Sequence, residues 1–297
     1  MAFFKGFCNK RFEKLKFLAI LVTFIPGIIP TIGLCENARQ SIERMDSDAK
    51  QGKPLIAHVV VALADNKSQS IVPISPALGN GDSPRTNLYW GALYGVKTFF
   101  SRSKNWTRIK ADKPNNPSIL ERVVFTAKLM RNGSEVIVYV VADAWQGDKI
   151  KTATERFIEL SAGKYPEPVS LLQDGKNLEI NAGGDAHLVS YIGHNGLMDF
   201  SIPSLVNPAE QYTPKSAIVL ACYSQNYFAD KLNQSGSHSL LTTNGLMAPE
   251  AYTLEAALVS WFSGYSTSET HLAAAKAYSR YQKAKISWAK GLFSTNE

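Results

Sequence analysis

Two residues that can perform nucleophilic chemistry follow two short apolar segments of the sequence. His194 stands two positions after the segment 188–192, and Cys222 stands two positions after the segment 217–220. Both segments have the length and the β-branched composition of strands and are bounded by turn residues. Because ligands collect at the carboxyl ends of strands in open α/β sheets, we expect His194 and Cys222 to face one crevice.

A cysteine nucleophile needs a nearby base and donors that hold the developing oxyanion. His194 can take the thiol proton and later protonate the leaving amine. Gly196 permits a tight turn, so its N–H and that of Cys222 are the expected oxyanion donors. The alternatives are that Cys222 is a small buried hydrophobe at a strand end and that His194 is structural.

The elements around these residues indicate an α/β fold. The segments 55–64 and 135–143 are nearly continuous in apolar residues, as buried parallel strands are. Helical segments alternate with the strands, which predicts a three-layer α/β/α domain with a mostly parallel central sheet, over residues 53–297. The predicted helices are 88–100, 149–162, 224–232, 250–262 and 269–289, and segment 178–187 is predicted to be rich in turns.

The order of the two motifs resembles that of the caspase, gingipain, legumain and clostripain group of cysteine peptidases. In that group a strand ending in His-Gly precedes a strand ending in Ala-Cys, whereas papain-like enzymes place the cysteine first. The resemblance covers about residues 55–262, including the strand at 136–142 and the helix that follows it. It implies a caspase-like fold in which His194 is the general acid and base and Cys222 is the nucleophile.

The sequence departs from this group in two ways. Asn195 separates His194 from the glycine that usually follows directly, which leaves Gly196 or Asn195 as the oxyanion donor beside Cys222. The histidine and the cysteine lie 28 positions apart, whereas caspases proper have a spacing of about 50 and a different cysteine signature. The bacterial and legumain-like branches are therefore the nearer resemblance.

The amino terminus has the organisation of a targeting segment. A basic stretch up to Lys16 precedes an apolar run at 17–34 and then polar sequence, which predicts a signal peptide over 1–38 or a membrane anchor through 17–34. We expect an exported protein, either periplasmic or secreted. Residues 39–52 are expected to form a linker or short helix, and cleavage after Ala38 would leave Cys222 as the one cysteine.

The charge distribution argues against a nucleic-acid-binding protein, and the spacing of the histidines argues against a metal site. The net charge is +7, but much of it belongs to residues 1–38, and no aromatic and basic motif for nucleic acid is present. His187, His238 and His271 have no partners at metal-ligand spacing, so we predict no metal and no cofactor. His58 lies within a core strand and is expected to be a buried, hydrogen-bonded histidine.

Two loops are the candidates for contacts with a peptide or protein substrate. Asp82 and Arg85 lie in a long loop that is rich in Gly, Pro and Asn, and Asn244 and Glu250 bound the loop after the next strand. Capping of a turn is the simpler role for Asp82 and Arg85. Two other acidic residues near strand ends could orient His194; they are Asp143 and Asp185.

The sequence supports one main hypothesis and two alternatives. The main hypothesis is an exported cysteine endopeptidase that acts through a thioacyl-enzyme intermediate. The first alternative is a binding or scaffold protein that keeps the fold and has lost the chemistry, with Asn195 marking the loss. The second is a transpeptidase or amidase that uses the same dyad on peptides of the cell envelope.

Overall fold

A computed structural model describes residues 29–205 and 213–295, and within these ranges ten strands form one sheet with helices on both faces. This confirms the three-layer α/β/α class. The strands are β1 (Leu55–Ala62), β2 (Thr107–Ala111), β3 (Ile119–Arg131), β4 (Ser134–Trp145), β5 (Pro166–Gln173), β6 (Lys176–Gly183), β7 (Leu188–Ile192), β8 (Ser216–Leu220), β9 (His238–Thr243) and β10 (Phe293–Ser294). The helices are α1 (Ile29–Lys50), α2 (Val96–Arg102), α3 (Ile150–Ser161), α4 (Ser224–Ser235), α5 (Ala251–Phe262), α6 (Thr267–Gln282) and α7 (Ile286–Leu292).

The sheet is parallel only in its centre. Its strand order is β10-β9-β8-β7-β1-β4-β3-β2-β5-β6, and the run from β9 to β4 is parallel. The pairs β3/β4, β2/β3, β2/β5, β5/β6 and β9/β10 are antiparallel. The sheet is therefore more mixed than the sequence predicted. The five parallel strands place the carboxyl ends of β1, β7 and β8 side by side at one edge.

Three predicted elements differ in the structure. Most of segment 178–187, expected to consist of turns, belongs to β6, which pairs with β5 as a hairpin at the far end of the sheet. Segment 88–100 is mainly turns, and its helix is confined to α2. The helix predicted over 269–289 is interrupted between α6 and α7, where Lys283 adopts a left-handed conformation with φ +53° that no α-helix accommodates.

The alternating faces of the central strands bury two separate apolar layers. One layer lies under α1, α2, α5 and α6 and includes Trp90 and Trp261. The other lies under α3 and α4 and includes Phe157, Tyr191 and Phe228, whose rings pack with centroids about 6 Å apart. Both layers are fully buried, so the strand ends that carry His194 and Cys222 project from a rigid core.

The segment predicted as a linker or short helix at 39–52 is the second half of α1, and it packs on the domain. Met45 is buried in the core, and the Arg44 guanidinium donates to the backbone carbonyls of Ala186 and Pro214 at 3.1 and 3.0 Å. The predicted signal or anchor lies mostly in residues 1–28, outside the described part of the chain. Among the described helices, none has the length and apolar character needed to cross a membrane.

Candidate active site

His194 and Cys222 occupy equivalent positions just after two adjacent strands. β7 and β8 are parallel, with Ile192 opposite Leu220, and each candidate residue stands two positions beyond that last pair. Neighbouring strands lie about 4.8 Å apart, so the two turns leave the sheet side by side. The side chain of His194 is 11% exposed and Cys222 is partly buried, so both residues keep a small exposed surface.

Gly193 lets the chain turn sharply out of β7. Its φ is +153°, and a Cβ at this position would stand 2.9 Å from the carbonyl oxygen of Ala62, so a side chain does not fit. A hydrogen bond from the core also fixes this turn, because the buried Tyr191 hydroxyl donates to the carbonyl of His194 at 2.8 Å. The backbone of His194 is therefore held before any substrate binds.

The imidazole of His194 has an acidic partner, Asp199. Its Nε2 lies 2.7 Å from Oδ2 of Asp199, which follows a short 3-10 helix at Gly196–Met198. A carboxylate accepts a hydrogen bond from Nε2–H, and this leaves Nδ1 as the nitrogen that can exchange a proton with a reacting group. Asp199 was not among the residues singled out from the sequence, since it lies in no predicted strand end.

Cys222 lies in a sharp turn between β8 and α4. Tyr223, the next residue, has φ +51° and ψ +32°, a strained conformation for a bulky side chain, and its N–H donates to the carbonyl of Gly245 at 2.9 Å. The backbone N–H of Met247 approaches the Cys222 sulfur at 3.5 Å. The Cys222 thiol in turn donates to the carbonyl of Met247 at 3.7 Å, so both backbone groups of Met247 lie beside the sulfur.

The strand β9 braces this turn through one buried hydroxyl pair. The hydroxyls of Ser224 and Thr243 lie 3.1 Å apart, Ser224 donates to the carbonyl of Val219 at 2.9 Å, and Thr243 donates to the carbonyl of Ala221. Each carbonyl at the end of β8 thus has a fixed partner. The position of Cys222 is therefore set by three consecutive elements, β8, α4 and β9.

Asn195 connects the histidine turn to the cysteine turn. Its side-chain amide donates to the carbonyl of Cys222 at 2.6 Å and its side-chain oxygen accepts from Leu197 N–H at 3.1 Å. Asn195 is completely buried, so neither its amide nor its N–H faces a substrate. Within the described residues, the imidazole of His194 and the sulfur of Cys222 form no direct hydrogen bond; such bonds often tighten only when substrate binds.

The N–H of Gly196, one of the two expected oxyanion donors, is bonded within its own turn. Its N–H donates to the carbonyl of His194 at 3.0 Å, and Gly196 is itself buried, with the ring of Phe200 where a Cβ would be. This N–H is already used inside the turn and does not face the crevice. The N–H of Cys222 has no acceptor in the described part of the chain, and of the two predicted donors it is the one left for an oxyanion.

Glu250, a predicted substrate contact, lies in an aromatic cluster beside the cysteine loop. Its carboxylate accepts hydrogen bonds from the Tyr252 hydroxyl at 2.8 Å and from the Gln282 amide at 3.0 Å. Burial raises the pKa of Glu250. Burial likewise raises the pKa of Tyr89, with smaller contributions from the charges of Cys222 and Glu250.

The other predicted substrate contacts lie farther from the thiol or at its margin. Asp82 accepts a hydrogen bond from Gln146 after β4 at 2.6 Å, and Arg85 is exposed on the same loop. No described contact joins either residue to His194 or Cys222. Asn244 is exposed, and its backbone N–H donates to the carbonyl of Leu292 at 2.7 Å, which ties the loop after β9 to the end of α7.

Neither acidic residue weighed as a partner of His194 has that role. Asp185 precedes β7 and therefore lies at the opposite end of the strand. Asp143 lies within β4, where it pairs with Arg122 through two bonds of 2.7 Å and with His58 Nε2 at 3.2 Å. His58 also accepts from the N–H of Gly183, which confirms it as a buried, hydrogen-bonded histidine.

One group among the described residues has the composition of a metal site, namely His58, Asp143 and Glu167, whose ligand atoms lie within 4.8 Å of one another. The guanidinium of Arg122 bridges the two carboxylates, at 2.7 and 2.5 Å, and its side chain is almost fully buried. A guanidinium cation is therefore already paired with both carboxylates. The arrangement is that of a buried ion-pair network.

Comparisons with protein-family models, with curated proteins and with solved structures find no match to this chain.

Proposed function

We propose that this chain is an exported, caspase-like cysteine peptidase in which Cys222 is the nucleophile and His194 is the general acid and base. The observation that carries the proposal is the tie between the two turns. Equivalent ends of the adjacent strands β7 and β8 carry the two residues, and the buried Asn195 amide holds the carbonyl of Cys222. This bond fixes the histidine turn relative to the cysteine turn.

The proposed reaction begins with transfer of the Cys222 proton to Nδ1 of His194. The sulfur attacks the carbonyl carbon of the peptide bond, and the carbonyl oxygen takes up negative charge. His194 then protonates the amine, the C–N bond breaks, and a thioacyl-enzyme remains. His194 next deprotonates a water molecule, whose oxygen attacks the thioester carbon; the acid product leaves and the thiol is restored.

Three structural features support this reaction: one acts on the imidazole, one on the sulfur and one on the oxyanion. Asp199, on the far side of the imidazole, stabilises the cationic form of His194 while it holds the transferred proton. The Met247 N–H donates to the Cys222 sulfur and can keep this bond when the sulfur has lost its proton. The N–H of Cys222 is available for the oxyanion in the tetrahedral intermediate.

The buried Asn195 also bears on the alternative of a protein that has lost its chemistry. Its side chain makes two hydrogen bonds that position the residues on either side of the crevice. The residue that departs from the family pattern thus has a positioning role of its own. We therefore favour an active enzyme over a scaffold.

Turnover of an unfolded protein substrate tests the proposal. We expect the chain without residues 1–38 to release peptides from fluorescently labelled, denatured casein, and Cys222→Ala to abolish release while leaving the unfolding midpoint in urea near that of the wild type. Turnover that persists in Cys222→Ala would overturn the proposal. Addition of a primary amine separates hydrolysis from acyl transfer, because only a transferase gives the amine adduct as its main product.

A further inference from the structure

An uncharged groove lies directly beside the candidate nucleophile. It has a volume of about 470 Å³ and is formed by the loop after β9 and by α7. None of its eight lining residues carries a charge. Three of them are large and exposed: Tyr223 at 37%, Leu246 at 65% and Trp288 at 53%.

The groove and the thiol share their supporting residues. Tyr223 follows Cys222 directly, and its N–H is bonded to Gly245 on the groove wall. Leu246 stands between Gly245 and Met247, and the Met247 N–H donates to the Cys222 sulfur. The wall of the groove is therefore within one or two residues of the groups that contact the thiol.

The opposite wall is held in place by the sheet. The Asn244 N–H donates to Leu292 at the end of α7, and β10, which follows, pairs with β9. Trp288 therefore lies on a helix whose position is fixed, and about half of its large apolar side chain is exposed. Exposed aromatic side chains on rigid elements are typical anchors of binding grooves.

We propose that this groove is a specificity subsite that accepts a bulky, uncharged apolar side chain of the substrate peptide. This inference rests on the proposed function, because the apolar side chain in the groove belongs to a peptide that acylates Cys222. The absence of charge from the lining decides the class of occupant, since a buried lysine or aspartate side chain would find no partner there. Trp288 and Leu246 are the residues expected to contact the apolar side chain.

Active-site labelling with matched peptide probes tests this. The probes are dipeptidyl acyloxymethyl ketones that carry Phe, Lys or Asp at one position and are otherwise identical, with each of the two positions varied in turn. The second-order rate of Cys222 labelling is measured by mass spectrometry. We expect the Phe probe to react faster than the Lys and Asp probes by about tenfold or more at one position. Trp288→Ala should remove most of this preference.

Two further variants show whether the preference of the probes depends on the groove itself. Ile286→Ala removes an exposed apolar side chain from the same helix outside the groove, and it should keep the wild-type preference. Leu246→Glu, at a highly exposed site, should shift the preference toward the Lys probe. Equal rates for all probes in the wild type, or an equal loss in Ile286→Ala, would overturn the subsite.

The remaining outcomes separate the two proposals. If the small probe iodoacetamide labels Cys222 with no dependence on His194, the proposed function fails. If that dependence holds and the Phe preference is absent, the subsite alone is wrong. If Trp288→Ala turns a dimer into a monomer in gel filtration without changing the probe preference, the groove binds a second copy, and the proposal is again wrong.

Discussion

The side-chain amide of Asn195 donates a hydrogen bond of 2.6 Å to the backbone carbonyl of Cys222, 27 positions further along the chain. This bond joins the turn after β7 to the turn after β8. The Tyr191 hydroxyl and the Ser224–Thr243 pair fix each turn separately, whereas this bond fixes one turn relative to the other. The relative position of the imidazole and the thiol therefore depends on a side chain that takes no part in the chemistry.

Asn195→Ala should destabilise the protein by about 1–3 kcal/mol, because it leaves the carbonyl of Cys222 without its donor. It should also reduce the rate of Cys222 labelling at neutral pH, since the two turns are no longer tied. Urea unfolding and labelling rates measure both effects. Asn244→Ala, whose amide makes an exposed bond of 3.3 Å to Gly291, is the control and should change stability by less than about 0.5 kcal/mol.

Asp199→Asn should lower peptide turnover by at least about tenfold, because a neutral amide no longer stabilises the imidazolium or fixes the ring tautomer. The fold should remain intact, since Asp199 is partly exposed. The pH profile of turnover should change as well, which a merely structural residue would not cause. Asp230→Asn, on the exposed side of α4, should match the wild type; an equal loss in both variants would argue against a role for Asp199.

His238 should make the protein lose stability in mild acid. Burial lowers the pKa of His238 to about 4, below its usual 6.5. Between these values the unfolded chain binds a proton that the folded chain excludes, so stability falls as pH decreases from about 6.5 to about 4. Burial lowers the pKa of His187 to about 4 as well, and this adds to the same slope.

Urea unfolding at pH 7, 5.5 and 4.5 measures this dependence. His238→Gln should show a shallower loss of stability on acidification than the wild type. His271→Gln keeps His238 in place and should retain most of the wild-type slope. Parallel slopes for wild type and His238→Gln would show that burial of this histidine does not control acid stability.

Lys283→Gly should stabilise the protein by about 1 kcal/mol, because Lys283 has φ +53° at the end of α6 and glycine adopts this conformation without strain. The site is exposed, so little packing is lost. Lys276→Gly, an exposed position within the same helix, is the matched control and should destabilise by about 1 kcal/mol. Thermal or urea unfolding of the pair measures both, and a destabilised Lys283→Gly would contradict the assignment of strain.

The strands that carry the candidate site could be predicted from the sequence because they are nearly continuous apolar runs. Both faces of these strands, β1, β4, β7 and β8, are buried, and for this reason most of their residues are apolar. The β5/β6 hairpin was missed because it lies at the end of the sheet, where nine of its sixteen residues are exposed and apolar residues alternate with polar residues and prolines. Its alternation of Leu178, Ile180 and Ala182 is the signal that could have found it.

The fine geometry of the site could not be predicted in the same way. Asp199 reaches His194 because the 3-10 turn between them brings residues five positions apart into contact, and no apolar pattern marks such a turn. From the sequence, Asn195 was interpreted as an insertion. Its hydrogen-bond partner is a backbone carbonyl, which every residue carries, so no sequence pattern indicates this bond. The bond of the Gly196 N–H within its own turn could not be predicted for the same reason, since its acceptor is also a backbone carbonyl.

The pH dependence of Cys222 alkylation, with the wild type beside His194→Ala, tests the central claim most directly. Iodoacetamide is used on the chain without residues 1–38, and the rate is followed by mass spectrometry from pH 5 to pH 10. If the two residues form a working dyad, the wild type should react readily near pH 6, well below the value of about 8.5 typical of a free thiol. His194→Ala should then react only at higher pH. Two superimposable profiles, each rising only above about pH 8 as for an isolated thiol, would contradict the account.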